Sequence, residues 1–271
     1  MTTHAPPTLE SGWSAETSVE DTVLRHGLLA LSSSWTAAGQ ACGARIARDE
    51  RFTAVDVGRP TGLFNSATLQ QPMIGQDLDD ALEEIERFYD RQGHGTALLW
   101  SPWPTPDLTA RGWTLEGHPP LLFRPALAAP PVRRPEELEV VEATTPAAFD
   151  EWRSLAVEAF PLDAVQPARR LLDTAILEDP RFRFVIGRAD GRDVAVGCQF
   201  VECEANVLLL AATLPEFRGR GYYSALAADR ITHQPDLPAV TIVSDDSRPV
   251  LVGRFGFLPI SRFTLWKRPR P

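Results

Sequence analysis

Two stretches of the sequence match each other at an offset of 144 residues, and this internal repeat constrains the fold more than any other feature. Residues 112–125 read GWTLEGHPPLLFRP and residues 256–269 read GFLPISRFTLWKRP, so they share a Gly-aromatic start, their length and an Arg-Pro end. The same offset aligns two further pairs of segments, 96–101 with 240–245 and 81–82 with 225–226. One offset shared by a predicted helix, strand and hairpin indicates two copies of one α/β unit. The alternative is that two segments with the same order of elements match in partial register by sliding.

Composition places the chain among globular proteins. It has 271 residues, of which 44% are hydrophobic and 23% charged, and at roughly 150 residues per domain this length predicts two domains. No apolar run approaches the ~18 residues of a membrane span, and the first residues lack the basic start and apolar core of a signal peptide. We therefore expect a cytoplasmic protein, either a monomer or a homodimer.

The net charge of −9 argues against partners with a negative surface. Nucleic acids and membrane surfaces attract basic proteins, so we expect neither as a partner. The three cysteines, Cys42, Cys198 and Cys203, are too few and too far apart for a disulfide framework or a zinc cluster. The sequence therefore predicts no bound metal, and the two later cysteines are expected to pack within strands.

Proline positions divide the chain. Residues 1–17 are rich in Pro, Thr and Ser, which is typical of a flexible tail. A helix is predicted to begin at Ser18, whose hydroxyl can cap the first turn. Residues 124–138 contain four prolines, which favour an extended, exposed linker. We place the boundary near residue 131 and predict two domains, 18–131 and 132–271.

The second half of the chain alternates between strand and helix patterns. Apolar runs predict five strands before the last hairpin, over residues 138–142, 182–187, 194–204, 207–213 and 239–244. A turn at residues 205–206 is expected to separate the third of these strands from the fourth. Helical patterns are found over residues 146–160, 167–178, 222–233 and 248–255. This order of elements indicates a unit with helices packed on a sheet.

The most informative segment is residues 208–231, where a buried strand runs through a glycine-containing loop into a helix. Gly219 and Gly221 have no side chains to keep a ligand from the backbone, and the free N–H groups of a helix start favour an anion. Arg218 and Arg220 add two positive charges. Together these features predict a cradle for a pyrophosphate. The dinucleotide-binding and P-loop patterns are both incomplete, because the former needs a third glycine and the latter a Lys-Ser/Thr pair.

The second half resembles the Gcn5-related N-acetyltransferase (GNAT) superfamily. The family signature is Arg/Gln-x-x-Gly-x-Gly/Ala after a central strand, and residues 218–223 read Arg-Gly-Arg-Gly-Tyr-Tyr. The Gly-Phe pair at 256–257 is similar to the pair that ends the family's last short helix. The resemblance covers residues 136–268 and, more weakly, 20–127. Tyr223 departs from the signature, and its ring is expected either to crowd the phosphates or to stack on the nucleotide.

The resemblance implies an α/β (α+β) fold of two GNAT-like units, each a mixed, mostly antiparallel twisted sheet flanked by helices. It also implies acetyl-CoA or another acyl-CoA as co-substrate, lying along strand 208–213, while strand 239–244 separates to admit it. The backbone of Ala211, Ala212 and Thr213 would pair with the pantetheine amides. The pyrophosphate would lie on the loop formed by Arg218, Gly219, Arg220, Gly221, Tyr222 and Tyr223.

The implied reaction moves an acetyl or other short acyl group to an amine of a small molecule. It needs a base for an ammonium acceptor and an acid for the leaving thiolate. Glu202 and Glu204 are candidate bases, although a solvated hairpin end is the slightly favoured alternative. Ser247 is a candidate acid or a helix cap. Many members of the superfamily have a tyrosine acid where this chain has Val252, so we expect slow transfer, with water or Ser247 as donor, or binding alone.

The first copy lacks the cradle. At the offset of 144, residues 74–79 replace the loop, and the carboxylates of Asp77, Asp79 and Asp80 would repel a pyrophosphate. We therefore expect a non-binding partner domain that covers the second copy. Three tryptophans are either walls of the acceptor site or core residues, namely Trp100, Trp103 and Trp113.

Two other functions stay open at this point. One is a non-catalytic acyl-CoA-binding or regulatory module, which keeps the cradle without the acid–base groups. The other is a thioester hydrolase or a malonyl decarboxylase with the same fold. The sequence does not name the acceptor.

Overall fold

A computed structural model describes residues 22–59, 62–91, 95–128, 130–160, 172–244 and 246–270. The first helix, α1, is Val23–Ala41, and Thr22 caps it by accepting a hydrogen bond from the backbone N–H of Arg25 (3.1 Å). The predicted tail over residues 1–17 and the predicted cap at Ser18 lie outside the described residues.

The described residues of the first half continue with six strands and one helix. These are β1 Arg45–Arg48, β2 Phe52–Asp56, β3 Ser66–Leu69, α2 Gln76–Asp90, β4 Gly95–Ser101, β5 Thr114–Gly117 and β6 Pro120–Arg124. The described residues of the second half form seven strands and three helices. These are β7 Leu138–Glu142, α3 Pro146–Ala159, β8 Phe182–Ala189, β9 Arg192–Glu202, β10 Ala205–Thr213, α4 Tyr222–His233, β11 Ala239–Ile242, α5 Arg248–Phe255, β12 Leu258–Arg262 and β13 Thr264–Arg270.

Most predicted elements of the second half are present. Strand β7 and helix α5 have the predicted bounds, and α3 and α4 end within one residue of the prediction. The predicted helix over 167–178 lies partly outside the described residues, and its described end is a 3-10 turn, Thr174–Glu178. The turn between β9 and β10 was predicted two residues too late. It lies at Cys203 and Glu204, which both have a φ of +53°, as a tight hairpin turn requires.

The strands form two mixed sheets. The first sheet has the order β1-β2-β3-β4-β13-β5, and the second has the order β12-β6-β11-β10-β9-β8-β7. Neighbouring strands are antiparallel in most pairs. The pairs β3–β4 and β10–β11 are parallel. This is the mixed, mostly antiparallel architecture that the resemblance implied.

Each sheet contains one strand from the other half of the chain. Strand β6 precedes the linker, yet it lies between β11 and β12 in the second sheet. Strand β13 ends the chain, yet it lies between β4 and β5 in the first sheet. A domain boundary near residue 131 stays a prediction, and a division there leaves each sheet with one strand from the other side.

With this exchange the two sheets have the same order over six strands, and β7 of the second sheet has no counterpart in the first. Strands β1 to β5 correspond to β8 to β12, and β13 has the place in the first sheet that β6 has in the second. The offset of 144 residues superimposes β5 on β12 and β6 on β13. We call the first sheet with α1 and α2 the first unit, and the second sheet with α3, α4 and α5 the second unit. The sequence repeat is thus a structural repeat.

Helices cover both faces of the second sheet. Alternate residues of β9 point to opposite faces, so Val196, Cys198 and Phe200 lie in a core cluster with Trp152 of α3. Ala195, on the opposite face, lies in another cluster with residues of α4. Helix α1 of the first unit also packs on the second sheet, which joins the two units. Among the described helices, none is both long and apolar enough to cross a membrane.

Candidate active site

A crevice opens between β10 and β11, the parallel strand pair of the second sheet. In the described residues this pairing ends at Val207 and Val240, whereas β10 continues to Thr213. Thr241 bridges the point of separation, because its hydroxyl donates to the carbonyl oxygen of Leu208 (2.8 Å). The two strands therefore separate where the resemblance implied that they would.

Strand β10 contains a β-bulge beside the crevice. Its register with β9 shifts between Leu209 and Ala212, and Leu210 between them has a left-handed φ of +46°. A bulge removes backbone groups from the ladder and bends the strand. Leu210, Ala211 and Ala212 are half-buried, whereas the part of β10 before them is buried. The backbone predicted to pair with pantetheine thus has a free edge on the side away from β9.

Thr213, the last residue of β10, has an unsatisfied side chain. The residue is 7% exposed, and its Oγ1 has no hydrogen-bond partner within the described part of the chain. Leaving a buried hydroxyl unsatisfied costs on the order of 1–3 kcal/mol. Such a group is available to accept or donate a hydrogen bond to a ligand or a water molecule.

The loop after β10 has the geometry of an anion cradle. Gly219 and Gly221 have left-handed φ angles of +79° and +87°. A Cβ added at Gly219 would have nothing within 4 Å, so the loop surface there is open. Helix α4 begins at Tyr222 without a side-chain cap, and its first N–H groups stay available for an anion.

The two arginines of the loop have different roles. The Arg218 guanidinium donates to the carbonyl oxygens of Thr213 (3.1 Å) and Ala159 (3.4 Å). Arg218 therefore fastens the loop to β10 and α3. Arg220 is exposed and lies over the Phe217 ring, 5.0 Å from its centroid. Its charge is therefore at the surface of the loop, where an anion would bind.

The two tyrosines that begin α4 have different partners. Tyr222 is buried and its hydroxyl donates to Oε1 of Glu137 (3.0 Å), so the linker holds the start of the helix. Tyr223 packs against an apolar cluster between α4 and α5, and its hydroxyl lies near the Ser247 side chain. Burial raises the pKa of Tyr223, and the charge of Arg230 and the nearby Ser247 hydroxyl oppose this to a smaller extent.

Ser247 lies at the start of α5, but its side chain does not cap the helix. Its Oγ is 3.3 Å from Oγ of Ser244. Val252 occupies the position at which many members of the superfamily have a tyrosine acid. It is half-buried against the same apolar cluster as Tyr223. The structure thus brings two predicted site residues, Ser247 and Tyr223, together at the position that lacks the usual acid.

The two candidate bases lie at the other end of β10. Glu204 is exposed in the hairpin turn, and nine strand residues separate it from the phosphate loop by roughly 30 Å. Glu202 forms an ion pair with Arg181 (2.8 Å). The structure places both at the solvated hairpin end, which was the alternative interpretation, and their role as bases stays a prediction.

Two buried residues beside the bulge had not been predicted, Arg230 on α4 and Trp152 on α3. The Arg230 guanidinium donates to the carbonyl oxygens of Cys198 (3.0 Å) and Leu209 (3.2 Å). The Trp152 indole N–H donates to the carbonyl oxygen of Gly197 (3.1 Å). The available signal was an arginine on the apolar face of a predicted amphipathic helix.

The first unit has a different helix start. Helix α2, the counterpart of α4, has Asp77 and Asp79 in its first turn. Asp79 lies 3.6 Å from the Arg111 guanidinium. Carboxylates already satisfy the positive end of this helix dipole, and they repel a phosphate.

The three tryptophans belong to the first unit. Trp100 and Trp113 are buried, and their indole N–H groups donate to Ser66 Oγ (3.1 Å) and Glu86 Oε1 (2.9 Å). Trp103 is 3% exposed and lines a cavity of about 960 Å³ between the edge strands β5 and β12. Packing therefore accounts for Trp100 and Trp113, and Trp103 is the one of the three that lines this cavity.

The described residues contain no group of three or more His, Cys, Asp or Glu side chains that could hold a metal ion. All three cysteines are free thiols. Burial raises the pKa of Cys198, so its thiol stays protonated and packs within β9, as expected. Cys203 was expected to pack within a strand too, but it is exposed in the turn between β9 and β10.

Comparisons with known proteins extend this description. No protein-family profile matches the chain, and no characterised protein sequence matches it. The chain is similar to the solved structure of a GCN5-related N-acetyltransferase from Kribbella flavida, with 19% identity, a TM-score of 0.62, and coverage of 89% of this chain and 96% of that one. For a GCN5-related N-acetyltransferase from Sphaerobacter thermophilus, the identity is 14% and the TM-score is 0.55. The similarity covers 89% of this chain and 92% of that one. For a tandem GNAT protein from the clavulanic acid biosynthesis pathway, the identity is 15% and the TM-score is 0.50. The similarity covers 92% of this chain and 96% of that one.

The chain therefore has the GNAT fold. Each similarity covers about nine tenths of the chain, so it includes both units, and one of the similar structures is itself a tandem protein. At identities of 14–19%, the comparisons establish the fold and leave the reaction to be argued from the site.

Proposed function

We propose that the chain is an acyl-CoA-dependent acyltransferase of the N-acetyltransferase type, with one working site in the second unit. It would move an acetyl or other short acyl group to an amine of a small molecule. The observation that carries the proposal is the separation of β10 from β11 beside an uncapped helix start. A free strand edge and an anion site lie end to end there, and acyl-CoA has amide groups and a pyrophosphate in the same order.

The residues present fit this ligand. The backbone of Ala211 and Ala212 can pair with the pantetheine amides as an added strand. The unsatisfied hydroxyl of Thr213 offers one further hydrogen bond. The loop at Gly221 and the charge of Arg220 would hold the pyrophosphate. No metal is required for this arrangement.

When bound, acyl-CoA supplies an activated thioester that an amine can attack. The hydroxyl of Tyr223, which lies near Ser247, would keep the proton that the leaving thiolate needs. Burial raises the pKa of Tyr223, so it is protonated at neutral pH. A thiolate with a pKa near the 8.5 of free cysteine leaves without much help. Val252 cannot donate a proton, so the two hydroxyls take the place of the usual acid.

One observation favours a second candidate function, acyl-CoA binding without transfer. Transfer to an ammonium acceptor needs a base, and Glu202 and Glu204 lie at the hairpin end of β10 rather than beside the crevice. A module that binds acyl-CoA and reports its level needs only the crevice and the loop.

Incubation with acetyl-, propionyl- and malonyl-CoA and a panel of amines tests the proposal. Release of free thiol that depends on an amine supports transfer. Binding by calorimetry without release would assign the second function. Release without an amine indicates a hydrolase, and conversion of malonyl-CoA to acetyl-CoA indicates a decarboxylase. Absence of binding to any of the three contradicts all four.

A further inference from the structure

The bulge in β10 is fastened by a buried arginine from the neighbouring helix. Arg230 of α4 is 1% exposed, and its Nη1 donates to the carbonyl oxygens of Cys198 (3.0 Å) and Leu209 (3.2 Å). Cys198 and Leu209 are the last pair before the register between β9 and β10 shifts. The Nε of Arg230 donates to the carbonyl oxygen of Leu226 (3.1 Å), which fixes the orientation of the guanidinium.

Strand β9 is shaped to receive this guanidinium. A Cβ added at Gly197 would lie 3.0 Å from both Cζ and Nε of Arg230. That distance is tighter than ordinary van der Waals contact, so a side chain at Gly197 would displace the guanidinium. The carbonyl oxygen of Gly197 accepts from the Trp152 indole N–H (3.1 Å). Three carbonyl groups around the bulge thus accept hydrogen bonds from buried side chains.

The buried charge of Arg230 is not neutralised by an acid. Its hydrogen-bond acceptors are backbone carbonyls, and none of the ion pairs in the described part of the chain includes it. The neighbouring Asp229 is paired with Arg183 (2.7 Å). Burying a charge without a counter-ion is costly, and an apolar side chain is often the more stable choice at such a position. A charge kept at this cost points to a role beyond packing.

We propose that Arg230 is the positioning residue of the acyl-CoA site. It holds the carbonyl groups of the bulge toward α4 and so keeps the backbone edge of residues 210–212 open toward the crevice. It acts through the strand, without touching the ligand. The inference rests on the proposed function, because an open edge matters only where a ligand pairs with it.

The test separates the two ends of the ligand. Calorimetry compares acetyl-CoA with ADP, which has an adenosine and a pyrophosphate but no pantetheine. The variants are Arg230→Met, Arg230→Lys and Gly197→Ala, and the last keeps the charge while moving the guanidinium. Arg183→Met is the matched control, because it removes another partly buried cation next to α4. Thermal unfolding of each variant is measured alongside.

Arg230→Met and Gly197→Ala are expected to weaken acetyl-CoA binding about tenfold, the equivalent of one or two main-chain hydrogen bonds. ADP binding should change by less than about twofold, because the loop is untouched. Arg230→Lys should recover part of the loss, since its ammonium group can donate to the same carbonyls. Arg183→Met should leave both affinities unchanged.

Wild-type affinity for acetyl-CoA in both Arg230→Met and Gly197→Ala would overturn the inference. A parallel loss of acetyl-CoA and ADP affinity would also overturn it, because that result indicates a loosened fold rather than a displaced strand edge. If the wild-type protein binds neither ligand, the proposed function fails and the inference fails with it.

Discussion

The two units differ at their parallel strand pairs. In the first unit, residues 66–68 of β3 pair with residues 98–100 of β4. At the offset of 144 residues, these positions correspond to 210–212 and 242–244, where β10 and β11 have separated. The first sheet is therefore closed at the place where the second sheet is open.

Side chains beside the strand pair account for this difference. In the first unit, buried Asn65 donates to the carbonyl oxygen of Thr96 (3.2 Å) and accepts from the backbone N–H of Val57 (3.0 Å), which ties three strand regions together. The residue at the same repeat position in the second unit is Leu209, whose carbonyl group is held by Arg230. In the first unit, Asn65 thus links the two parallel strands by hydrogen bonds. In the second unit, Arg230 binds the bulged strand β10 and its antiparallel neighbour β9 instead.

The starts of helices α2 and α4 also differ, and again only the second unit is suited to bind an anion. Helix α2 has two carboxylates in its first turn, whereas α4 has no acidic residue there. Two copies of one fold can therefore keep the same strand order while only one keeps an open crevice and an anion site. The predictions below test this asymmetry.

The largest expected effect is at the glycine that precedes each helix. Gly221→Val should weaken acetyl-CoA binding at least about 100-fold, because its side chain would fill the space over the first N–H groups of α4. Gly75→Val in the first unit should leave binding unchanged. Calorimetry of the wild type should give one site per chain.

The two variants are a matched pair. Gly75 and Gly221 both precede a helix and have φ angles of +57° and +87°, so a valine is strained at either position. In the left-handed conformation of Gly221 the strain is roughly 1–2 kcal/mol. Equal losses of affinity in the two variants, or two sites per wild-type chain, would contradict the assignment of the site to the second unit.

The next effect concerns turnover. Tyr223→Phe should lower kcat about 10- to 100-fold with little change in acetyl-CoA affinity, within the range for loss of a general acid. Ser247→Ala should have a smaller effect of the same kind. At the repeat positions of these hydroxyls the first unit has Asp79 and Trp103, so it offers no substitute. Steady-state kinetics over a range of pH provides the measurement.

Tyr222→Phe is the control for this experiment, because its hydroxyl is bonded to Glu137 instead. Adding Val252→Tyr to Tyr223→Phe should restore part of the rate if the crevice holds the thiol beside α5. An unaffected rate in a folded Tyr223→Phe variant would show that the donor lies elsewhere.

Local patterns explain how much of the second unit could be predicted from the sequence. Helix α5 has a proline in its first turn and Gly256, with a φ of +72°, directly after its end, so both ends are visible in the sequence. The loop at 218–221 is likewise a local feature, formed by two glycines between a strand and a helix. These elements depend little on the rest of the fold.

The remainder depends on contacts between distant segments. The segments at 112–125 and 256–269 do not form the predicted hairpins, because β5 and β13 lie in the first sheet and β6 and β12 in the second. The two segments are so similar that this strand exchange could not be read from their sequences. The bulge lies inside a continuous apolar run, which does not show a change of register. Arg230 gains its role only when α4 packs on β9, and sequence spacing does not reveal that contact.

A smaller effect is expected from the exposed charge of the loop. Arg220→Ala should weaken acetyl-CoA binding roughly 3- to 10-fold at low salt, and less at high salt, because exposed charges are screened. Arg192→Ala is the control, since Arg192 lies over the same Phe217 ring (4.8 Å) but is paired with Glu216 (3.0 Å). Titrations at several salt concentrations give the measurement, and an Arg220→Ala loss independent of salt would contradict the electrostatic role.

The smallest effect tests a feature that the two units share. Each unit has an Asp-x-Arg segment before a strand, in which the aspartate accepts hydrogen bonds from the backbone and guanidinium of its own arginine. The arginine also binds a glutamate, Arg51 with Glu84 (2.7 Å) and Arg181 with Glu202 (2.8 Å). Glu202 thus has the same kind of ion-pair partner as Glu84 of the unit without a crevice, although the two segments precede different strands, β8 and β2.

Asp179→Asn and Asp49→Asn should therefore destabilise the protein equally, by about 1 kcal/mol or less at neutral pH, as for partly exposed ion pairs. The hydrogen bond from Arg181 is the main cause of the lowered pKa of Asp179. Burial raises the pKa of Asp49, but the hydrogen bonds from Arg51 and Phe52 outweigh it, so this pKa is lowered too. A lowered carboxyl pKa gives stability above the unfolded value, near 3.9, and this stability is lost as the pH falls through the folded value. Urea unfolding from pH 7 to pH 3 should show the variants and the wild type converging in acid. A loss confined to one variant would mean that the asymmetry of the two units extends beyond the crevice and the helix start.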